Sequence, residues 1–129
     1  MTSDVNASVK PTLLYADDES LILNAVKRVF RAKYNLVSTT DCVEAYRLLI
    51  SETPPNYAIL DNIFEGQSFE GIGIIERLYS EMGGLPSRII LCSGTIDQSI
   101  RRRAEARGAK CIDKPFDIDK LLRMLSSFS

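Results

Sequence analysis

Residues 12–20 read TLLYADDES, a run of apolar, strand-forming residues that ends in three consecutive acids, Asp17, Asp18 and Glu19. Carboxylates this close together repel one another and disfavour their charged forms, unless water surrounds them or a cation lies between them. The stretch is therefore either a solvated turn after a strand or part of a site for a cation. The rest of the chain decides between these two interpretations.

The chain around this stretch alternates short apolar runs with longer stretches at helical spacing, five times over. Such alternation is typical of a repeating strand-helix unit. Several runs are apolar throughout, as in parallel strands that are buried on both faces of a sheet. The predicted strands are residues 12–16 (TLLYA), 35–39 (NLVST), 57–60 (YAIL), 88–92 (RIILC) and 110–112 (KCI).

Each predicted helix carries an apolar stripe that should face the sheet. The second helix begins after a capping stretch that ends at Asp41, and it runs from about Cys42 to Glu52, before two prolines. The fourth, within residues 96–108 (IDQSIRRRAEARG), is mostly charged, so we expect it to be the most exposed helix. For the first, third and fifth helices the predicted core-facing residues are Ile22, Ala25, Val26, Val29 and Phe30; Ile75, Leu78, Tyr79 and Met82; and Ile118, Leu121, Leu122, Leu125 and Phe128.

The length and composition predict one globular domain. The 129 residues include 45% hydrophobic and 26% charged side chains, and we expect a flexible segment over residues 1–11 and a folded domain over 12–129. A net charge of −1 gives no electrostatic argument for nucleic acid or for an anionic membrane as a partner. Because the polar N-terminus lacks the apolar core of a secretory signal, a cytoplasmic location is expected.

Histidine is absent, and the three cysteines, Cys42, Cys92 and Cys111, have no metal-ligand spacing. The lack of histidine excludes the usual general base and any histidine-dependent nucleophilic triad. We expect the cysteines to be small buried apolar residues. Any chemistry in this chain therefore belongs to carboxylates, hydroxyls and amines.

Right-handed crossovers between parallel strands give a doubly wound α/β fold, in which ligands bind at the carboxyl edge of the sheet. Asp17 and Asp18 follow the first predicted strand, Asp61 the third, Ser93 the fourth and Lys114 the fifth. Four strand ends thus bring carboxylates, a hydroxyl and an ammonium to one edge. A buried core requires none of these groups there.

The residues in these positions resemble the receiver domain of two-component response regulators, of the kind found in chemotaxis receivers. The resemblance covers residues 12–128 and rests on YADDE, YAILDN, CSG and DKPF, taken together in this order. It implies a flavodoxin-like fold with a five-stranded parallel sheet in the order 2-1-3-4-5 and five helices. It also implies a partner that delivers a phosphoryl group, a sensor histidine kinase or a phosphotransfer protein, and a downstream effector protein.

By the same resemblance Asp61 would accept the phosphoryl group in the presence of Mg²⁺. Asp18 and Asp61 would bind the metal directly, with the Ile63 carbonyl as a third ligand and Asp17 acting through water. Lys114 would hold the phosphoryl oxygens, and Ser93 would give one of them a hydrogen bond. The domain would catalyse its own phosphorylation and dephosphorylation and would not turn over external substrates.

Two departures from the family pattern concern the loop over the site and the signalling switch. Residues 62–70 (NIFEGQSFE) form a longer segment than is usual and lack the customary proline. Three residues before Lys114, the family usually has an aromatic residue that turns inward on phosphorylation, and this chain has Cys111.

In the metal-free protein we also expect Asp17, Asp18 and Asp61 to repel one another, because no cation is paired with them.

Three other interpretations remain open from the sequence. A degenerate receiver would act as an unphosphorylated interaction module. A flavodoxin-like binding module would need a phosphate loop after the first strand, where ADDES would repel a phosphate. A phosphatase with an aspartate nucleophile would need a second acid two residues later, where the chain has Ile63.

Overall fold

The computed structural model describes residues 10–17, 27–63, 70–94, 96–114 and 117–128. Residues 27–31 are helical and lie between the first two strands. In chain order the other elements of the described residues are β1 (Thr12–Ala16), β2 (Asn35–Thr39), α1 (Cys42–Leu49), β3 (Tyr57–Asp61), α2 (Gly71–Met82), β4 (Arg88–Ser93), α3 (Gln98–Ala106), β5 (Lys110–Asp113) and α4 (Ile118–Ser126).

The five strands form one parallel sheet in the order β2-β1-β3-β4-β5, so the predicted doubly wound α/β fold is confirmed. Strand order reverses between β1 and β3, which places the ends of these two neighbouring strands at the ligand-binding edge. The register pairs Asp61 with Cys92 and Ser93 with Asp113. The last residues of β3, β4 and β5 therefore lie side by side.

Helices cover both faces of the sheet, and each strand contributes alternate residues to two apolar layers. In β1, Leu14 and Ala16 belong to one layer, whereas Leu13 and Tyr15 belong to the other. All four are fully buried, as predicted for a strand covered on both faces. Cys42, Cys92 and Cys111 are buried free thiols, which confirms the prediction that they fill apolar space.

Helix α1 is shorter than predicted, because it ends at Leu49 and not near Glu52. The start is as expected, since the Asp41 side chain accepts a hydrogen bond from the Val43 N–H at 2.9 Å. At the other end the Ser51 hydroxyl donates to the Leu48 carbonyl at 2.8 Å. The side chain thus occupies a carbonyl that a further helical turn would have used.

The apolar residues of helix α2 that face the core are not all the ones predicted. Leu78 and Ile75 are buried as expected, but Tyr79 and Met82 are 43% and 48% exposed, so the prediction for these two was wrong. The buried stripe instead includes Gly71, Ile72 and Ile74 near the start of the helix. Tyr79 lies under Arg107, with 5.9 Å between the guanidinium and the ring centre.

The remaining helical predictions divide in a similar way. Phe30 is buried, whereas Val29 is 39% exposed and was wrongly assigned to the core; Ile22, Ala25 and Val26 lie outside the described residues. In α3 only Ala104 is buried, so this helix is as exposed as expected. In and just after α4 two of the predicted core residues are buried, and the others are partly buried: Leu121 and Leu125, then Ile118, Leu122 and Phe128.

The start of the described chain is attached to the sheet. The Asn35 N–H donates to the Pro11 carbonyl at 2.9 Å, and the Asn35 side chain donates to the Lys10 carbonyl at 3.0 Å. Residues 1–9 lie outside the described residues, and the predicted boundary after residue 11 stays a prediction. None of the helices in the described ranges has the length and apolarity that crossing a bilayer requires.

Candidate functional site

Four of the predicted site residues lie at the carboxyl edge of the sheet. Asp17 directly follows β1, Asp61 ends β3, Ser93 ends β4 and Lys114 directly follows β5. The first three are almost fully buried, with 0%, 4% and 1% of their surface exposed. The fold therefore holds two carboxylates and a hydroxyl away from water at the edge where parallel α/β sheets bind ligands.

Lys114 lies between the two carboxylates. Its ammonium donates a hydrogen bond to Asp17 Oδ2 at 2.8 Å and is 3.4 Å from Asp61 Oδ2. The expectation that these aspartates lack a paired cation was therefore wrong for Asp17 and Asp61. One ammonium serves two acids, so these three side chains carry a net negative charge whenever both carboxylates are ionised.

Main-chain hydrogen bonds beyond the strand ends fix the backbone of the site. The Asp17 N–H donates to the Thr39 carbonyl at 3.1 Å, and the Lys114 N–H donates to the Ser93 carbonyl at 2.7 Å. These bonds continue the sheet by one residue past the ends of β1 and β5. The carboxylate and the ammonium thus project from a rigid support, as a site that depends on geometry requires.

The surroundings of Asp61 disfavour its charged form. Burial and then the neighbouring Asp17 carboxylate raise the pKa of Asp61 to about 7, against the opposing effect of Lys114. Burial alone would lower the pKa of Lys114, but its hydrogen bond to Asp17 and the nearby acids raise it. The ammonium is therefore fully protonated near neutral pH, and the two acids share it unequally.

Hard divalent cations prefer carboxylate oxygens as ligands, and Asp17 and Asp61 supply such oxygens. The single Lys114 ammonium balances the charge of only one of these two carboxylates. The described residues contain no group of three or more acidic, cysteine or histidine side chains arranged to hold a metal. Asp18, the predicted direct ligand, lies outside these residues. The donor set fits a cation such as Mg²⁺ if Asp18 contributes the further carboxylate.

Ile63, the predicted carbonyl ligand, stands at the outer side of the site. Its N–H points at Asp61 Oδ1 with 3.5 Å between the two heavy atoms, and the residue is 52% exposed. The backbone N–H of Ile63 therefore lies beside the Asp61 carboxylate, whereas about half of the surface of the residue is exposed to solvent. Its role as a metal ligand stays a prediction.

Asn62 is a site residue that the sequence did not reveal. It is 2% exposed, and its side-chain oxygen accepts a hydrogen bond from the Ile72 N–H at 3.0 Å. An asparagine that caps a helix is normally found directly before it, whereas this one precedes Gly71 by nine positions. Local sequence patterns therefore carry no signal for the contact.

The family follows from a comparison with known proteins. The family model described as the response regulator receiver domain matches residues 13–126. The chain belongs to this family. Members of the receiver-domain family generally bind Mg²⁺ at the phosphorylation site and interact with kinases and effectors.

A relative and two solved structures illustrate the likeness. An NtrX-like response regulator of Rickettsia bellii is 31% identical over 115 residues, which are 88% of this chain and 23% of that protein. The signal receiver domain of the response regulator NarL from Mycobacterium tuberculosis aligns with a TM-score of 0.77 at 23% identity, over 92% of this receiver and 95% of that chain.

The second structure is a response regulator from Burkholderia pseudomallei with a phosphorylated aspartic acid, a calcium ion and citrate. It aligns with a TM-score of 0.71 at 19% identity, over 88% of this receiver and 65% of that chain. At these identities the two structures show a shared fold. The receiver spans about a quarter of the length of the NtrX-like relative.

Proposed function

We propose that this receiver accepts a phosphoryl group on Asp61 in a reaction that requires Mg²⁺. The observation that carries the proposal is the shared ammonium: the Lys114 Nζ is 2.8 Å from Asp17 and 3.4 Å from Asp61 at the carboxyl edge of the sheet. A structural ion pair would need one acid for one base. The second carboxylate leaves a negative site that a divalent cation would neutralise.

The reaction is a transfer between two anions. An oxygen of the Asp61 carboxylate forms a bond to phosphorus, the bond from phosphorus to the donor's leaving group breaks, and the leaving group departs with the electron pair. Bound Mg²⁺ would supply charge neutralisation for the phosphoryl oxygens. Asp18, Asp61 and the Ile63 carbonyl would hold the metal, and Asp17 would act on it through water.

Lys114 and Ser93 would serve the phosphoryl group itself. The ammonium is already fixed beside Asp61, so its charge is in place for the oxygens of the incoming group. Ser93 ends the neighbouring strand, and its hydroxyl would donate a hydrogen bond to one of those oxygens. Lys114 and Ser93 are both held at the ends of strands, and such preorganised groups can stabilise the charge that develops in a transition state.

The phosphorylated aspartate and calcium ion of the Burkholderia protein support this assignment, because that protein shares the fold. The donor would be a sensor histidine kinase or a phosphotransfer protein, and the phosphorylated receiver would bind an effector protein. A cytoplasmic location, as such partners require, stays a prediction.

Incubation with a small phosphodonor such as acetyl phosphate tests the reaction directly. We expect intact-mass measurement to show one added phosphoryl group with Mg²⁺ and almost none when EDTA removes the metal, because Asp61 and the donor are both anionic. Asp97, whose side chain accepts a hydrogen bond from the Ile100 N–H at the start of α3, offers a control: Asp97→Asn keeps a capping oxygen and should be labelled like the wild type. No labelling under any condition would favour a receiver that acts as an unphosphorylated interaction module.

A further inference from the structure

The start of helix α2 has no side-chain cap of its own. Glu70 occupies the capping position, and its side chain makes no capping hydrogen bond. The first two N–H groups of the helix bind Asn62 instead: Gly71 donates to the Asn62 carbonyl at 2.8 Å, and Ile72 donates to the Asn62 side-chain oxygen at 3.0 Å. Asn62, which directly follows β3, thus accepts hydrogen bonds from two N–H groups that the capping residue of a helix usually satisfies.

Asn62 is also fixed to the sheet. Its N–H donates to the Cys92 carbonyl of β4 at 2.8 Å, and its peptide bond joins it to Asp61. It is 2% exposed, so these hydrogen bonds are shielded from water. The residue next to the proposed acceptor therefore connects β3, β4 and the first turn of α2.

Gly71 brings the backbone of α2 into direct contact with Asp61. A Cβ atom at position 71 would lie 2.4 Å from the Asp61 carbonyl oxygen and 2.7 Å from Leu91 Cδ1. Only glycine permits so close an approach. By contrast, a Cβ at Gly73, in the same turn of the helix, would meet nothing within 4 Å.

We propose that Asn62 is a positioning residue for the phosphorylation of Asp61. Together with Gly71 it holds the Asp61 backbone against α2 and β4, so the carboxylate keeps a fixed position relative to Lys114. The hydrogen bond between Asn62 and Gly71 also closes the base of residues 63–70. The role in the reaction rests on the proposed function; the attachment itself does not.

A pair of substitutions at position 62 separates positioning from simple helix capping. Asn62→Leu removes the acceptor for the Ile72 N–H at similar volume, whereas Asn62→Asp keeps an acceptor at the helix N-terminus. We expect Asn62→Leu to lower the maximal rate of phosphorylation by about tenfold. The phosphodonor concentration that gives half of this rate should not change, because a misplaced Asp61 carboxylate slows the transfer step and does not weaken binding of the phosphodonor. Asn62→Asp should recover part of the rate, because it returns the acceptor for the Ile72 N–H but places a second carboxylate beside Asp61. A purely structural cap would change the unfolding free energy and leave the rate of the folded protein unchanged.

A second pair tests the contact without any phosphorylation. Gly71→Ala forces a methyl group onto the Asp61 carbonyl, and Gly73→Ala adds the same group where there is space. In amide NMR spectra of the metal-free protein we expect the Asp61 resonance to move in Gly71→Ala and Asn62→Leu and to stay in place in Gly73→Ala. In Asn62→Leu the Ile72 amide should also exchange with solvent at least about tenfold faster.

Each outcome decides a different claim. If the wild type takes up no phosphoryl group, the proposed function is wrong, and the NMR comparison alone tests the attachment of Asp61 to α2. If phosphorylation proceeds but Asn62→Leu keeps its maximal rate, Asn62 is not a positioning residue. An unchanged Ile72 exchange rate in Asn62→Leu, or an unmoved Asp61 resonance in Gly71→Ala, would overturn the attachment itself.

Discussion

Replacing Lys114 with methionine is expected to destabilise the metal-free protein by about 3–5 kcal/mol at pH 8, because it removes the cation from two buried acids. The Lys114 side chain is 12% exposed and those of Asp17 and Asp61 are 0% and 6% exposed, so water cannot replace the lost ammonium. Among folded molecules the maximal rate of phosphorylation should fall by roughly 10²–10³. Urea denaturation with EDTA and phosphodonor kinetics measure the two effects.

Two further variants control this experiment. Lys110→Met removes an ammonium from the same end of the chain, where it lies 4.7 Å over the ring of Phe128, and should cost less than about 1 kcal/mol. Adding Asp17→Asn to Lys114→Met should recover part of the stability, because it removes the unpaired buried charge. A Lys114→Met protein as stable as the Lys110→Met protein would show that the ammonium is not needed between the acids.

Replacing Asp61 with asparagine is expected to stabilise the metal-free protein, and the gain should grow as the pH rises. The pKa of Asp61 is raised from 3.8 to about 7 by burial and by Asp17. Between these values the unfolded chain has lost a proton that the folded chain still binds, so the wild type loses stability as the pH rises from about 4 to about 7. The amide of the Asp61→Asn variant does not titrate, and its advantage should reach on the order of 2–4 kcal/mol at pH 8.

Urea denaturation in EDTA at pH 5 and pH 8 measures this difference. Asp113→Asn is a suitable control, because its carboxylate ends the strand β5, is 60% exposed and pairs with Arg101 at 3.5 Å. It should change the free energy of unfolding by less than about 1 kcal/mol at both pH values. A loss of stability in Asp61→Asn that increases toward pH 8 would mean that the Asp61 carboxylate is stabilising, contrary to the pKa shift.

The strands and the location of the site could be predicted from the sequence, because both follow from patterns that lie close together in the chain. The predicted ranges 12–16 and 35–39 agree with β1 and β2, and β3 and β4 each extend one residue further, to Asp61 and Ser93. Parallel strands end at one edge of their sheet, so acids placed after such strands must gather there. The chemistry of the edge followed from its residue types.

The contacts within the site could not be predicted, because they depend on where side chains meet after the chain has folded. Lys114 and Asp17 are 97 positions apart, and only the finished sheet shows that the ammonium reaches both acids. Asn62 and Ile72 are separated by ten positions, so the hydrogen bond between them has no local signature.

The core-facing side of α2 was predicted with the wrong stripe for a related reason. Ile75, Leu78, Tyr79 and Met82 are spaced as a helical stripe, but α2 also contains apolar residues at positions 72 and 74. The close approach of Gly71 to Asp61 brings the first turn of the helix onto the sheet and so favours the stripe that includes Ile72 and Ile74. A sequence with two usable stripes leaves this choice to tertiary packing.

The most direct test of the central claim is to identify the residue that carries the phosphoryl group. Borohydride reduces an acyl phosphate on aspartate to an alcohol, so reduction of the labelled protein followed by peptide mass analysis locates the acceptor. We predict homoserine at position 61, and no label or reduction product in Asp61→Asn, whereas Asp113→Asn behaves as the wild type. A phosphoryl group found on Ser93, or undiminished labelling of Asp61→Asn, would contradict the assignment of Asp61 as the acceptor.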